Sequence, residues 1–229
     1  MLFKRLPQSL HSLIFFIIFI GIGSNLRATH IIGGDISYRC LGNNQYEITM
    51  TVRRDCINGQ PPFDDPAYLG VFDSKGVRQI NITNNGRLDM LYRADDTLNE
   101  VVFKNCGIVG GDVCVHTTTY KDTIELPFIA GGYILAYQRC CRNKTILNIV
   151  DPENTGATYT VHITEEALLA CNSSPVLSPY PPIYICGNQP IEFNLAAKDA
   201  EGDSLVYSLC NPNTGATPQN PRPTFPSKP

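Results

Sequence analysis

Short runs in which apolar and polar residues alternate, broken every few positions by Gly, Asn or Pro, fill most of this 229-residue chain. Ile36, Tyr38 and Cys40 alternate with Ser37 and Arg39, and Gly42-Asn43-Asn44 follows as a turn. Tyr46, Ile48, Met50 and Val52 then alternate with Glu47, Thr49, Thr51 and Arg53. Period-two alternation on both sides of a Gly/Asn turn predicts a β-hairpin. A second hairpin is predicted from Leu69–Phe72 and Val77–Ile82 around Ser74-Lys75-Gly76, with a further strand at Leu88–Tyr92 after Asn84-Asn85-Gly86. Val101–Phe103, Val113–Thr119, Thr123–Leu126, Tyr133–Arg139, Thr145–Val150 and Thr158–Ile163 complete the expected set. Helical periodicity is absent from any long stretch, and one short helix is expected over Thr164–Ala170 with Thr164 as N-cap.

The pattern changes at both ends. Leu13–Ile22 is a continuous apolar run behind Lys4 and Arg5, with Leu26-Arg27-Ala28 as a cleavage site. That is the layout of a secretory signal peptide. The run is shorter than the about 20 residues a membrane span needs. Near Cys171 the composition shifts, and Asn172–Pro182 is rich in Ser and Pro. The expected division is a signal peptide over 1–28, a β-sandwich over 29–170, a linker over 171–182 and an incomplete β module over 183–229 with a Pro-rich tail. The expected strands of that last part are Ile183–Cys186, Ile191–Ala196 and Leu205–Leu209. Three strands fall short of the about seven, in about 100 residues, of an immunoglobulin-type sandwich.

Charge and cysteine content narrow the class. Without its signal the chain keeps 15 cations against 21 acids, which argues against generic nucleic-acid binding. Charged residues are only 17% and hydrophobic ones 43%, unlike a disordered chain. All nine cysteines (Cys40, Cys56, Cys106, Cys114, Cys140, Cys141, Cys171, Cys186 and Cys210) lie beyond the signal. Exported cysteines meet an oxidising environment, so they read as a disulfide framework. Zinc is disfavoured because no Cys-x-x-Cys pair is present. Cys106 and Cys114 flank a Gly-rich loop and are expected to pair, constraining the unfolded chain by about 2–3 kcal/mol. Cys140 and Cys141 are neighbours at a strand end. Adjacent strand side chains point to opposite faces, so the two are expected to bond different partners, Cys56 being favoured for one. One thiol is left over.

Candidate chemistry is sparse. Ile31-Ile32-Gly33-Gly34 and Gly202-Asp203-Ser204 are similar to the mature start and nucleophile motif of trypsin-like serine proteases. The nucleophile needs a tight glycine turn with oxyanion-binding amides, whereas Leu205 and Val206 follow Ser204 here. Gly-Asp-Ser-Leu also resembles the esterase motif of that spelling, which precedes a helix; here it ends an acidic turn. No catalytic residue is expected. Asp199, Glu201 and Asp203 place three carboxylates in five residues, a candidate calcium site set against a plain hairpin turn. His30, His116 and His162 show no carboxylate at catalytic spacing, and Asn81, Asn143 and Asn172 begin glycosylation sequons.

The strings THIIGGDISYRCLGNNQYEIT, Arg54-Asp55-Cys56, YQRCCRN (Tyr137–Asn143) and DAEGDSLVYSLC (Asp199–Cys210) occur in an order that resembles the N-terminal module of large exported surface proteins of Bacteroidetes-type gliding bacteria. Such proteins often end in gliding-motility-associated or type IX sorting domains. The resemblance spans nearly the whole mature chain. The Asp-x-Glu-Gly-Asp-Ser-Leu-x-Tyr segment also resembles the opening of cadherin-like and related immunoglobulin-like modules. The resemblance implies the front part of a longer protein, displayed at the extracellular cell surface. It implies adhesion, gliding-related attachment or structural display without enzymatic activity, no required cofactor, and surface proteins or glycans as partners. A secreted glycan-binding module, with calcium where the acids converge, is the alternative.

Overall fold

A computed structural model describes residues 31–57, 59, 61–98, 114–177, 190, 192 and 194–227. Two antiparallel four-stranded sheets face each other. Their strands are β1 (Ile31–Gly42), β2 (Gln45–Asp55), β3 (Ala67–Asp73), β4 (Arg87–Met90), β5 (Asp95–Thr97), β6 (Val115–Glu125), β7 (Tyr133–Arg139) and β8 (Ala157–Ile163). One sheet has the order β1-β2-β6-β5 and the other β4-β3-β7-β8. Helix α1 (Glu165–Ala170) follows β8, and β9 (Val176–Leu177) pairs with β10 (Ala197–Lys198). Among the described residues no helix is long and apolar enough to cross a membrane.

The first hairpin forms as its alternation predicts. Gly42 pairs with Gln45, leaving a two-residue loop whose Asn43 and Asn44 have φ of 50° and 59°. Positive φ at both loop positions matches the twist of the flanking strands, and Asn tolerates it. Tyr46, Ile48, Met50 and Val52 all point into the core. Thr164 caps α1 by accepting the Ala167 amide at 3.2 Å. The stretches Val113–Thr119 and Thr123–Leu126, read separately in the sequence, are joined in one strand over Val115–Glu125. Tyr120, Lys121 and Asp122 stay paired with Met50, Thr49 and Ile48. Lys121 and Asp122 carry their charges on the solvent face or at its edge, so their polarity does not interrupt the ladder.

Three predicted strands do not form. Val77 and Ile80 lie exposed in turns, because Asp73 Oδ1 collects the amides of Lys75 and Val77 at 2.9 and 2.8 Å. Leu147 and Val150 are likewise exposed, after a turn in which Asn143 Oδ1 accepts the Thr145 amide at 3.0 Å. Leu205–Leu209 carries no strand pairing; Val206 and Leu209 are 94% and 102% exposed. The expected strands at Val101–Phe103 and Ile183–Cys186 lie outside the described residues, as do parts of Ile191–Ala196.

The cysteine pairing departs from expectation in two places. Cys114 bonds Cys56, not Cys106, which lies outside the described residues. The ladder explains it: Asp55 faces Val115, so Cys56 and Cys114 are the next pair in register, and the Cys56 amide donates to the Cys114 carbonyl at 3.1 Å. Cys140 and Cys141 bond each other rather than two partners. Strand β7 ends at Arg139, so the pleat that would separate the two side chains has already stopped. The peptide between them is cis. A third bond joins Cys40 to Cys171, while Cys210 is an exposed thiol. Cys186 is outside the described residues.

The two sheets are buried differently. Strand β2 shows one-sided alternation along most of its length, with its core face fully covered. In β3 and β7 the alternation fades: Gly70, Phe72, Ala136 and Gln138, all on the outward parity, are buried as well. Strands read as near-continuous burial when both faces are covered. The cover is residues 213–227, a proline-rich strap laid over the outer face of the β4-β3-β7-β8 sheet. Thr158 donates through its amide to the Asn213 carbonyl (3.3 Å) and through Oγ1 to the Thr214 carbonyl (3.0 Å). The Cys140 amide donates to the Pro221 carbonyl at 3.0 Å, and Ser227 exchanges hydrogen bonds with Gln138.

The Cys40–Cys171 bond closes 131 residues and is expected to carry more stability than Cys56–Cys114, which closes 58. Replacing both Cys40 and Cys171 by Ala is expected to lower unfolding free energy by about 2–5 kcal/mol in urea titrations. Non-reducing peptide mapping is expected to recover Cys40–Cys171 and Cys56–Cys114 as linked peptides.

Candidate functional site

A recess of about 670 Å³ opens where the edge strand β1 meets β8, α1 and the chain beyond the helix. Its floor carries Tyr38 and Val161; its rim carries His162, Asp199, Asp203 and Tyr207. The segment after α1 is held against β1 as a substitute strand. Tyr38 donates its amide to Ser174 Oγ (2.8 Å), and the Ser174 amide donates back to the Tyr38 carbonyl (2.9 Å). The Cys40 amide donates to Ser173 Oγ at 3.2 Å. Cys171 ends α1 with φ 51°, a left-handed position that Gly or Asn normally takes. The disulfide to Cys40 anchors the cysteine there instead.

The acidic turn forms the outer wall. Asp199 Oδ1 accepts the amides of Glu201 (3.1 Å) and Asp203 (2.8 Å), and Gly202 supplies φ of 84°. Asn172 donates to the Asp203 carboxylate, which ties the turn to the segment after the helix. Asp199 is therefore a turn-former by its hydrogen bonds. Among the described residues the three carboxylates do not gather as a ligand set; the set within 4.8 Å is Cys56, Cys114 and His116, whose sulfurs are bonded to each other. The Tyr38 phenol is pushed up to about 12, chiefly by burial, then by Tyr46 and by the charges of Glu201 and Asp199. Ser204 is exposed and outside the recess lining. His30 lies outside the described residues.

Two constellations escaped the sequence reading. Pairing of β5 with β6 sets Thr97 opposite His116 and brings Asp95 to 3.3 Å from His116 Nδ1. Tyr92 donates its hydroxyl to the same Asp95 at 2.7 Å. The second is a buried charge centre. Asp64 accepts the Tyr137 hydroxyl on Oδ2 at 2.8 Å, and its Oδ1 lies 3.2 Å from Arg139 Nε and 2.8 Å from Arg222 Nε. The Tyr120 hydroxyl donates to the Asp64 carbonyl at 2.7 Å. Burial pushes the Arg139 guanidinium down, opposed by Asp64, and pushes the Tyr137 phenol well up. The signal for Arg139 was its parity: it continues the inward series Tyr133, Leu135, Tyr137.

Removing Arg139 leaves the buried Asp64 with the more exposed Arg222 as its one remaining cation among the described residues. Arg139→Met is expected to cost about 3–5 kcal/mol in chemical denaturation, and adding Asp64→Asn is expected to restore part of it. Alkaline titration tests the tyrosines. Unfolded tyrosines ionise near 10, whereas Tyr38 and Tyr159 hold their protons to about 12, in both cases chiefly through burial. This contribution to stability is complete below pH 10 and is lost as pH rises through about 12. Urea midpoints across that window are expected to fall in step with tyrosinate absorbance.

No family model matches this chain, and neither curated proteins nor solved structures yield a match.

Proposed function

We propose that this chain is an exported, non-enzymatic cell-surface module that serves adhesion, gliding-related attachment or structural display. The signal-like start, the disulfides and the family resemblance support that reading. The observation that carries it is the exposed apolar surface beside the recess. Val206 and Leu209 are 94% and 102% exposed, and Val176 and Leu177 are each 61% exposed. Clustered exposed apolar residues mark contact surfaces. Partners of this surface are other surface proteins, and the protein works outside the cell.

Glycan binding is the second reading. Tyr207 lines the recess, is 55% exposed and stands beside the carboxylates of Asp199 and Asp203. An exposed ring with neighbouring hydrogen-bonding groups suits a sugar face. Calcium would be recruited by Asp199, Glu201 and Asp203 only after the turn rearranges, since Asp199 is engaged with its own backbone.

Attachment of protein-coated beads to cells of the exporting organism separates the two. Val206→Asp with Leu209→Asp is expected to reduce attachment at least about fivefold, while Tyr207→Ala leaves it unchanged. Loss on Tyr207→Ala alone, with calcium-dependent signals on a glycan array, would instead establish the sugar reading. Stoichiometric labelling of Ser204 by a fluorophosphonate probe would overturn the non-enzymatic assignment altogether.

A further inference from the structure

The strap over residues 213–227 is bound as a ligand is bound. It adds no strand to either sheet, yet it meets the body through distinct anchors. Arg222 reaches Asp64, a carboxylate only 6% exposed, and donates to the Pro62 carbonyl at 3.2 Å. Phe225 lies between two guanidiniums, 4.6 Å from Arg78 and 5.2 Å from Arg87, a cation–π clamp. Pro223 and Pro226 are buried, and Arg78 donates to the Pro226 carbonyl at 3.1 Å. Small residues make the floor. A Cβ on Gly156 would collide with the Gly215 carbonyl, whereas one on Gly70 would meet the Phe72 ring first and make only ordinary contact with Pro226, at 3.5 Å.

We propose that this outer sheet face is a recognition groove for an extended, proline-rich segment with one Arg and one Phe anchor, and that the strap of a second copy of this chain can occupy it. Charge complementarity selects the occupant: without Arg222 the buried Asp64 keeps Arg139 alone as its cation among the described residues. Reach permits exchange. The body holds the described chain as far as Asp203, whose carboxylate accepts from Asn172, and the strap begins at Asn213. Residues 204–212, nine positions without strand pairing, reach at most about 30 Å when fully extended. At low concentration the tethered strap wins through its effective concentration, roughly millimolar for a short link. On a crowded surface, neighbouring copies reach comparable concentrations and straps exchange, joining copies head to tail. The inference rests on the groove's geometry and not on the adhesive role.

Two full-length variants test it by complementation. Arg222→Ala/Phe225→Ala releases the strap and leaves an empty groove. Gly156→Ala blocks the groove by collision with the Gly215 carbonyl and leaves an intact, displaced strap. Each alone is expected to be monomeric by light scattering after size exclusion. Mixed, they are expected to form a one-to-one heterodimer, weakened at least tenfold when Phe225→Ala is added to the blocked-groove partner. A mixture that stays monomeric while both variants remain folded overturns the proposal. Self-association of either variant alone overturns it as well, since that contact lies elsewhere. Hydrogen exchange on the unaltered chain decides the matter if a variant does not fold. The Cys140 and Thr158 amides, which donate to the strap, are expected to exchange well before the Leu135 amide in the ladder. Exchange of all three at one common rate would make the strap inseparable from the core and end the proposal.

Discussion

A single buried carboxylate joins the separate parts of this molecule. Asp64 sits in the loop before β3, yet it binds Tyr137 and Arg139 of one sheet, Tyr120 of the other and Arg222 of the strap. Removing an ionised carboxylate from water costs several kcal/mol unless charge and hydrogen bonds replace the lost hydration. Here two guanidiniums and a phenol do so, Arg139 and Tyr137 from β7 and Arg222 from the strap. The loop, the sheet-to-sheet spacing and the strap are thus coupled: none can shift far without exposing the deficit of the others.

The rest of the architecture deals with open strand edges. Strand β1 lies at the rim of its sheet, where unpaired amides and carbonyls would invite another chain. Ser173 and Ser174 occupy part of that edge with hydroxyl and backbone groups, and the Cys40–Cys171 bond holds them in place. At the other end of β1, Ile31 donates to the Cys141 carbonyl and accepts from the Asn143 amide. The Asn143 side chain also donates to Asp55, the last residue of β2, at 3.2 Å. Covalent and polar clamps therefore fall where the hydrophobic core, centred on Ile48, Met50, Leu69 and Leu135, cannot reach.

The recess is a by-product of the same clamping. Because the chain after α1 turns back along β1, a hollow remains between that segment and the acidic turn. Its polar rim is built from residues that already have structural duties: Asp199 holds its turn, Asn172 holds Asp203, and Tyr207 accepts the Ala197 amide at 3.0 Å. The lining also holds the exposed side chains of His162 and Val206.

Local pattern alone determined the all-β class, the β1–β2 hairpin with its Asn43-Asn44 turn, most of the core positions and the Thr164 cap. Each depends on residues within a few positions of one another, where alternation and turn chemistry act directly. The pattern failed where a distant partner decided. Val77–Ile82 looks like a strand, but the side chain of Asp73 and the placement of β4 beside β3 made it a turn. Cys114 found Cys56 because the β2–β6 register aligned them, a fact invisible from the glycine loop beside it. Asp95 met His116, and Asp64 met Arg139 and Arg222, across separations that sequence spacing does not encode. The proline-rich segment read as a loose tail because its composition forms no strand. Tertiary structure gave it a binding face: Gly156 leaves room for its backbone at Gly215, and the buried charge of Asp64 needs its arginine.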